Sequence, residues 1–213
     1  MKTKLIFLVC FLATSSLHAN DGKYVQTMLK NIEAIYAAQE PERIQELVNT
    51  FERIASVEKE KWEPLYYIAY GNIMMANMEK DGQQKDALLD RALENIRKAK
   101  EIMPNESELF ALEGFVSMLR VTVDPQARGP VHAPVATQLF NKAVVLDPQN
   151  PRALALMAQM QFGTARFFNS PVTEACATNA RAIEAFSRPQ GTNPLAPAWG
   201  TRMTESLAAQ CKE

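Results

Sequence analysis

Histidine is nearly missing from this sequence of 213 residues, which holds His18 and His132 and no other. An H-E-x-x-H site or a two-His cluster needs a close pair, so no metal site is expected. A Ser-His-Asp arrangement would rest on His132 alone, and no G-x-S-x-G elbow accompanies it. Set between Pro130 and Pro134, His132 reads as a solvated loop residue. The eight glycines are dispersed, which excludes a P-loop and a dinucleotide fingerprint, and no cofactor is expected. An excess of one charge is lacking too: 23 Lys and Arg stand against 24 Asp and Glu, scattered along the chain. Without a basic face, a nucleic-acid partner is not expected. Carboxylate pairs such as Glu58 with Glu60 and Glu106 with Glu108 stand among lysines or at helix starts, where acids suit the helix dipole. The sequence therefore does not read as an enzyme.

Long apolar runs are also absent, and no segment reaches the ~20 residues of a bilayer span. The nearest is the opening "MKTKLIFLVCFLATSSLHAN", where Lys2 and Lys4 precede the apolar run Leu5 to Ala13 and a small, polar stretch follows. That three-part form reads as a secretory leader, residues 1–19, cleaved after Ala19. The remainder is expected in the periplasm or secreted, and not spanning the membrane. Acylation of Cys10 is the weaker alternative, because Cys10 lies inside the apolar run and bulky Val9 precedes it. Without Cys10 two cysteines remain, Cys176 and Cys211, in a compartment where disulfides persist.

What the sequence does hold is a repetition. Ala92, Ile96, Ala99 and Pro104 of "RALENIRKAKEIMPN" recur as Ala136, Phe140, Ala143 and Pro148, each 44 residues later. Phe110 and Gly114 recur at the same offset as Leu154 and Ala158, so the period covers a pair of helices. Small residues let the helices approach, bulky ones fill the space between pairs, and the prolines end each second helix. Asn150 and Pro151 in "LDPQNPRA" supply a cap and a first-turn proline for the next helix. Met74, Met75, Met78, Met157 and Met160 read as core filling. Phe167 and Phe168 read as packed.

This pattern resembles the tetratricopeptide repeat, and Trp62 with Leu65 opens a first helix in that family's manner. The resemblance implies an all-α, right-handed stack of antiparallel helical hairpins. On this reading residues 20–213 are one helical-repeat domain, with a hairpin over 20–57, repeats over 58–196 and a capping helix over 197–213. Trp62, Phe110, Leu154 and Trp199 become equivalent anchors, at spacings above the family's ~34 residues. The excess is assigned to long connections in "MEKDGQQKDALL" and "TVDPQARGPVHAP". In the second, Arg120, Asp124 and Arg128 cluster, and Asp124 is expected to pair with an arginine and pin the loop. Tyr66 stands where the family usually has Gly, and Glu113 where it has Leu.

In an antiparallel hairpin the helix start near Cys176 and the end of the terminal helix at Cys211 are neighbours, which favours a disulfide over two buried free thiols. Closing a loop of that size would stabilise by roughly 4 kcal/mol as an upper figure. The family's first helices line a concave groove. Counted from the anchors, Glu60, Glu63, Tyr67 and Tyr70 face it, then Glu108, Phe115 and Met118, then Arg152, Gln159 and Phe162. Tyr67, Tyr70, Phe115, Met118, Arg152, Gln159 and Phe162 are the expected ligand contacts. Aromatic and charged side chains together suit a protein or peptide partner in the cell envelope. A small-molecule-binding accessory of an envelope transport system is the alternative.

Overall fold

A computed structural model of the protein describes residues 22–189 and 191–212 with their side chains; the expected leader over 1–19 lies outside them. The helices are α1 (Ile6–Ala37), α2 (Pro41–Val57), α3 (Glu63–Met78), α4 (Gly82–Ile102), α5 (Ser107–Val121), α6 (Pro125–Leu146), α7 (Pro151–Phe167), α8 (Thr173–Ser187) and α9 (Thr201–Gln210). No helix among the described residues is long and apolar enough to cross a membrane. Consecutive helices pack as antiparallel hairpins, and α1, α3, α5, α7 and α9 also touch in series along one side. This is the tetratricopeptide-like architecture.

Local chemistry sets the breaks. Asp81 accepts from the Gln84 amide to start α4, and Asn150 accepts from the Ala153 amide to start α7, with Pro151 in its first turn. The repeated small and bulky positions of α4 and α6 point inward: Ala92, Ile96 and Ala99 on α4, and Ala136, Phe140 and Ala143 on α6, are wholly buried. Gly114 shows how tight the fit is. A Cβ there would lie 2.4 Å from Phe140 Cε1, and the ring, buried on all sides, has nowhere to go. Gly114→Ala is therefore expected to destabilise by about 1–2 kcal/mol in urea titrations, overpacking outweighing the helical preference for Ala. A variant as stable as the parent would show that Phe140 can move.

The structure corrects five expectations. The stretches assigned to long connections are helix: Glu79, Lys80 and Asp81 alone join α3 to α4, and the extra residues lengthen α4 and α6. Pro130 and Pro134 lie inside α6, so His132 is helical rather than in a loop. Packing of α6 along α5 outweighs the local cost of the prolines. Among the described residues Asp124 pairs with no arginine; its carboxylate caps α6 by accepting from the Ala127 amide, while Arg128 and Arg120 reach Asp86 and Asp90 on α4. Phe167 and Phe168 are 53% and 68% exposed, at a turn where Asn169 has φ +50°. Of the methionines, Met75, Met157 and Met160 are buried, whereas Met78 is exposed.

Candidate functional site

The concave side begins with a buried ion pair. Glu108, in the first turn of α5, receives Arg152 from the first turn of α7: Nε lies 2.8 Å from each carboxylate oxygen, and Nη2 is 2.8 Å from Oε1. Asn150 Nδ2 also donates to Glu108 Oε1, at 2.8 Å, and to Ser107 Oγ, at 2.9 Å. Burial works against the Arg152 charge, but the adjoining carboxylate outweighs it and holds the guanidinium pKa above its usual value. Four residues from two consecutive repeats thus lock α5 to α7.

Beside this pair lies a group of tyrosines. Tyr66, Tyr67 and Tyr70 on α3 meet Tyr36 from α1, edge-on in the Tyr36–Tyr67, Tyr36–Tyr70 and Tyr66–Tyr67 contacts. Phe51 of α2 stacks on Tyr67 at 5.4 Å. Burial raises the phenol pKa of all four tyrosines, so each keeps its proton at neutral pH. They therefore serve as hydrogen-bond donors and apolar faces rather than as phenolate bases or ligands.

The groove these side chains line is filled by the protein itself. Residues 191–200, "GTNPLAPAWG", leave α8, cross the concave side and deliver the chain to α9 without helical structure. Leu195 and Pro197 are buried. Tyr67 Oη donates to the Leu195 carbonyl at 2.9 Å and accepts from Tyr36 Oη at 3.2 Å; Tyr36 Oη in turn accepts from the Ala198 amide at 3.1 Å. Two phenols thus close a circuit of hydrogen bonds that begins and ends on the crossing segment. Trp199 packs its indole on Tyr70 at 5.4 Å and on Phe115 at 6.0 Å, and its Nε1 donates to Tyr66 Oη at 2.9 Å. Farther along, Asn193 Nδ2 donates to Glu63 at 3.3 Å.

Of the seven expected contacts, the structure brings Tyr67, Tyr70 and Phe115 together under this segment. Arg152 lies at its end, where a Cβ on Gly200 would be 3.4 Å from Arg152 Cγ. Gln159 is turned to α9, donating to the Met203 carbonyl. Phe162 packs with Ala158, Ala175 and Leu207 beneath the same helix, and Met118 is partly buried beside the main core. Trp199 is not a repeat anchor within a helix but part of what fills the groove. Tyr36, Leu195 and Trp199 are members of this cluster that the repeat pattern does not reveal.

The α8 to α9 corner is closed by the Cys176–Cys211 disulfide, with the Cα atoms 5.8 Å apart. Next to it a cleft of about 490 Å³ is lined by Ile183, Phe186, Thr204, Glu205, Ala208 and Lys212, among others, a size within the usual range of small-molecule sites. A second cleft, of about 320 Å³, lies between α1 and α2 around Tyr24, Thr27, Arg53 and Ile54.

No family model and no curated protein matches the sequence. Among solved structures, the HusA haemophore from Porphyromonas gingivalis superposes with a TM-score of 0.80 at 26% identity, over 89% of this chain and 92% of that one. A thermophilic tetratricopeptide-repeat protein of Thermus thermophilus superposes with a TM-score of 0.56 at 16% identity, over 93% of this chain and 94% of that one. The second likeness is one of fold alone.

Proposed function

We propose that this protein is an exported, non-catalytic carrier that binds a flat, largely apolar small molecule of the haem class on its concave side. The observation that carries this reading is the likeness to a haemophore along nearly the whole of both chains. The chemistry of the groove supports it. Beneath Trp199, Tyr70 and Phe115 hold ring faces of the kind that stack on a planar ligand, while Tyr67, itself stacked on Phe51, backs them. Export is supported by the leader-like residues 1–19 and by the Cys176–Cys211 bond, which is stable in oxidising compartments.

Titration of the purified protein with haem, followed by the shift of its visible absorption, tests the reading. Saturable one-to-one binding is expected. Tyr70→Ala and Phe115→Ala should each weaken it about tenfold, the loss of roughly 1.4 kcal/mol of ring contact, with helicity unchanged. Full-strength binding by both variants would move the site elsewhere, and Phe186→Ala in the α8 to α9 cleft would then be the next variant to titrate. No saturable binding by the parent would reject the carrier.

One observation favours a second reading, a scaffold that grips a protein segment. The groove already holds a non-helical polypeptide by main-chain hydrogen bonds to Tyr36 and Tyr67. Crosslinking in the cell envelope would support that alternative if links from one protein concentrate around Tyr70, Met118 and Phe162.

A further inference from the structure

We infer that residues 191–200 are a built-in occupant of the groove, a strap that a planar apolar ligand displaces, Trp199 first, to reach the ring faces of Tyr70 and Phe115 and the Tyr66 hydroxyl. The ligand's identity rests on the carrier reading above; the strap itself rests on geometry alone.

Three features point to displacement rather than to a permanent filling. First, the strap is bounded by glycines in the left-handed region, Gly191 at φ +38° and Gly200 at φ +114°. These are conformations that L side chains rarely adopt, placed where a segment would pivot. Second, the strap has little structure of its own. Among the described residues its internal bonds run from the Ala196 amide to the Asn193 carbonyl and from the Leu195 amide to Asn193 Oδ1, and it is otherwise held by its contacts with the groove. Third, what it covers is a ready surface for a flat ligand. Lifting the Trp199 indole would expose the faces of Tyr70 and Phe115 together with one hydroxyl, Tyr66 Oη, that now accepts from Nε1.

The strap cannot leave the molecule. Its far end enters α9, which Cys211 ties to α8 through Cys176, so a displaced strap remains at high effective concentration and returns when the ligand departs. A strap of this kind has a measurable consequence. A site open for only a fraction of the time binds more weakly by that fraction, and loosening the strap removes the handicap.

The test uses Leu195→Ala with Trp199→Ala in the full exported chain and two probes, haem and the fluorescent dye anilinonaphthalene sulfonate. With helicity intact, the loosened protein is expected to take up the dye more strongly and to bind haem about tenfold more tightly or better. Adding Tyr70→Ala should remove both gains. In the parent, saturating haem should speed hydrogen exchange of the Ala198 amide, whose acceptor is Tyr36. Where the parent binds haem, binding by the loosened protein equal to or weaker than the parent's, or an Ala198 amide that stays protected in the haem complex, would overturn the strap. If haem binds to neither protein while dye uptake rises, the carrier reading falls and the strap stands. If dye uptake does not rise, the strap falls whatever haem does. Should the double variant lose helicity, Trp199→Ala alone and the exchange measurement on the parent decide the matter.

Discussion

Glu108→Ala is expected to cost about 3–5 kcal/mol of stability, near the limit for a single substitution. The side chains of Glu108 and Arg152 are only 9% and 5% exposed, so the charge left behind cannot regain its hydration. The Asn150 amide would lose an acceptor at the same time, and the joint between α5 and α7 would open where both helices begin. Arg152→Ala is expected to be comparably damaging, because it strands the carboxylate. Replacing both, as Glu108→Leu with Arg152→Met, should recover most of the loss, since neither the uncompensated charge nor its desolvation remains. Urea titrations of the two alanine variants and the double replacement measure this directly. Losses below about 1 kcal/mol for both alanine variants would mean that water reaches the pair, contrary to its burial here. The damage should reach the groove as well. Tyr66 Oη sits 3.5 Å from Glu108 and receives the Trp199 indole, so ligand binding should change with stability in Glu108→Ala.

The same two residues show how far the sequence could be read. The 44-residue offset placed Arg152 on a groove-facing position because a helical repeat fixes which side of each helix meets its neighbours. It puts Glu108 at the same position one repeat earlier, so their juxtaposition follows from the period; what the period alone leaves open is that the pair is buried and tied down by Asn150. The disulfide was legible for a related reason: α8 and α9 are adjacent and antiparallel, and such helices bring a start and an end together. Connection lengths were misread because prolines and glycine in "TVDPQARGPVHAP" carry a local signal for loops, whereas packing against α5 carries α6 through Pro130 and Pro134. The strap was hardest to see. "TNPLAPAW" has neither a helical nor an alternating period, and apolar residues without a period say that something is buried but not where. One clue was present. Tyr66 occupies a position where the resembled family usually has Gly, and in the structure its hydroxyl holds Trp199. The other departure, Glu113, pairs instead with Lys100 of α4, whose ammonium lies 3.6 Å over the Phe110 ring.

The tyrosine cluster gives the second large effect, an alkaline loss of stability of roughly 4 kcal/mol at pH 11. Tyr66, Tyr67 and Tyr70 ionise near pH 10 when the chain is unfolded, and burial raises each of them in the folded protein. Below pH 10 both states carry the phenol protons, and the stability these rings confer is fully present. Above it the unfolded chain sheds protons that the folded protein keeps, so stability falls as pH rises. The fall is about 1.4 kcal/mol per ring per pH unit, and it continues until the folded pKa of each ring is passed. Three rings one unit above pH 10 account for the total. Tyr70→Phe isolates the effect, because its hydroxyl makes no hydrogen bond among the described residues. At pH 7 its stability should match the parent's, and above pH 10 its decline should be shallower by one ring's share. Tyr67→Phe should differ in kind: it loses the donor to the Leu195 carbonyl and so weakens the groove's hold on the strap at neutral pH as well. Urea titrations of the parent and both variants at pH 8, 10 and 11 separate the two behaviours. A parent whose stability is flat from pH 10 to 11 would show that these phenols ionise in place, and the groove would then be wetter than its packing allows.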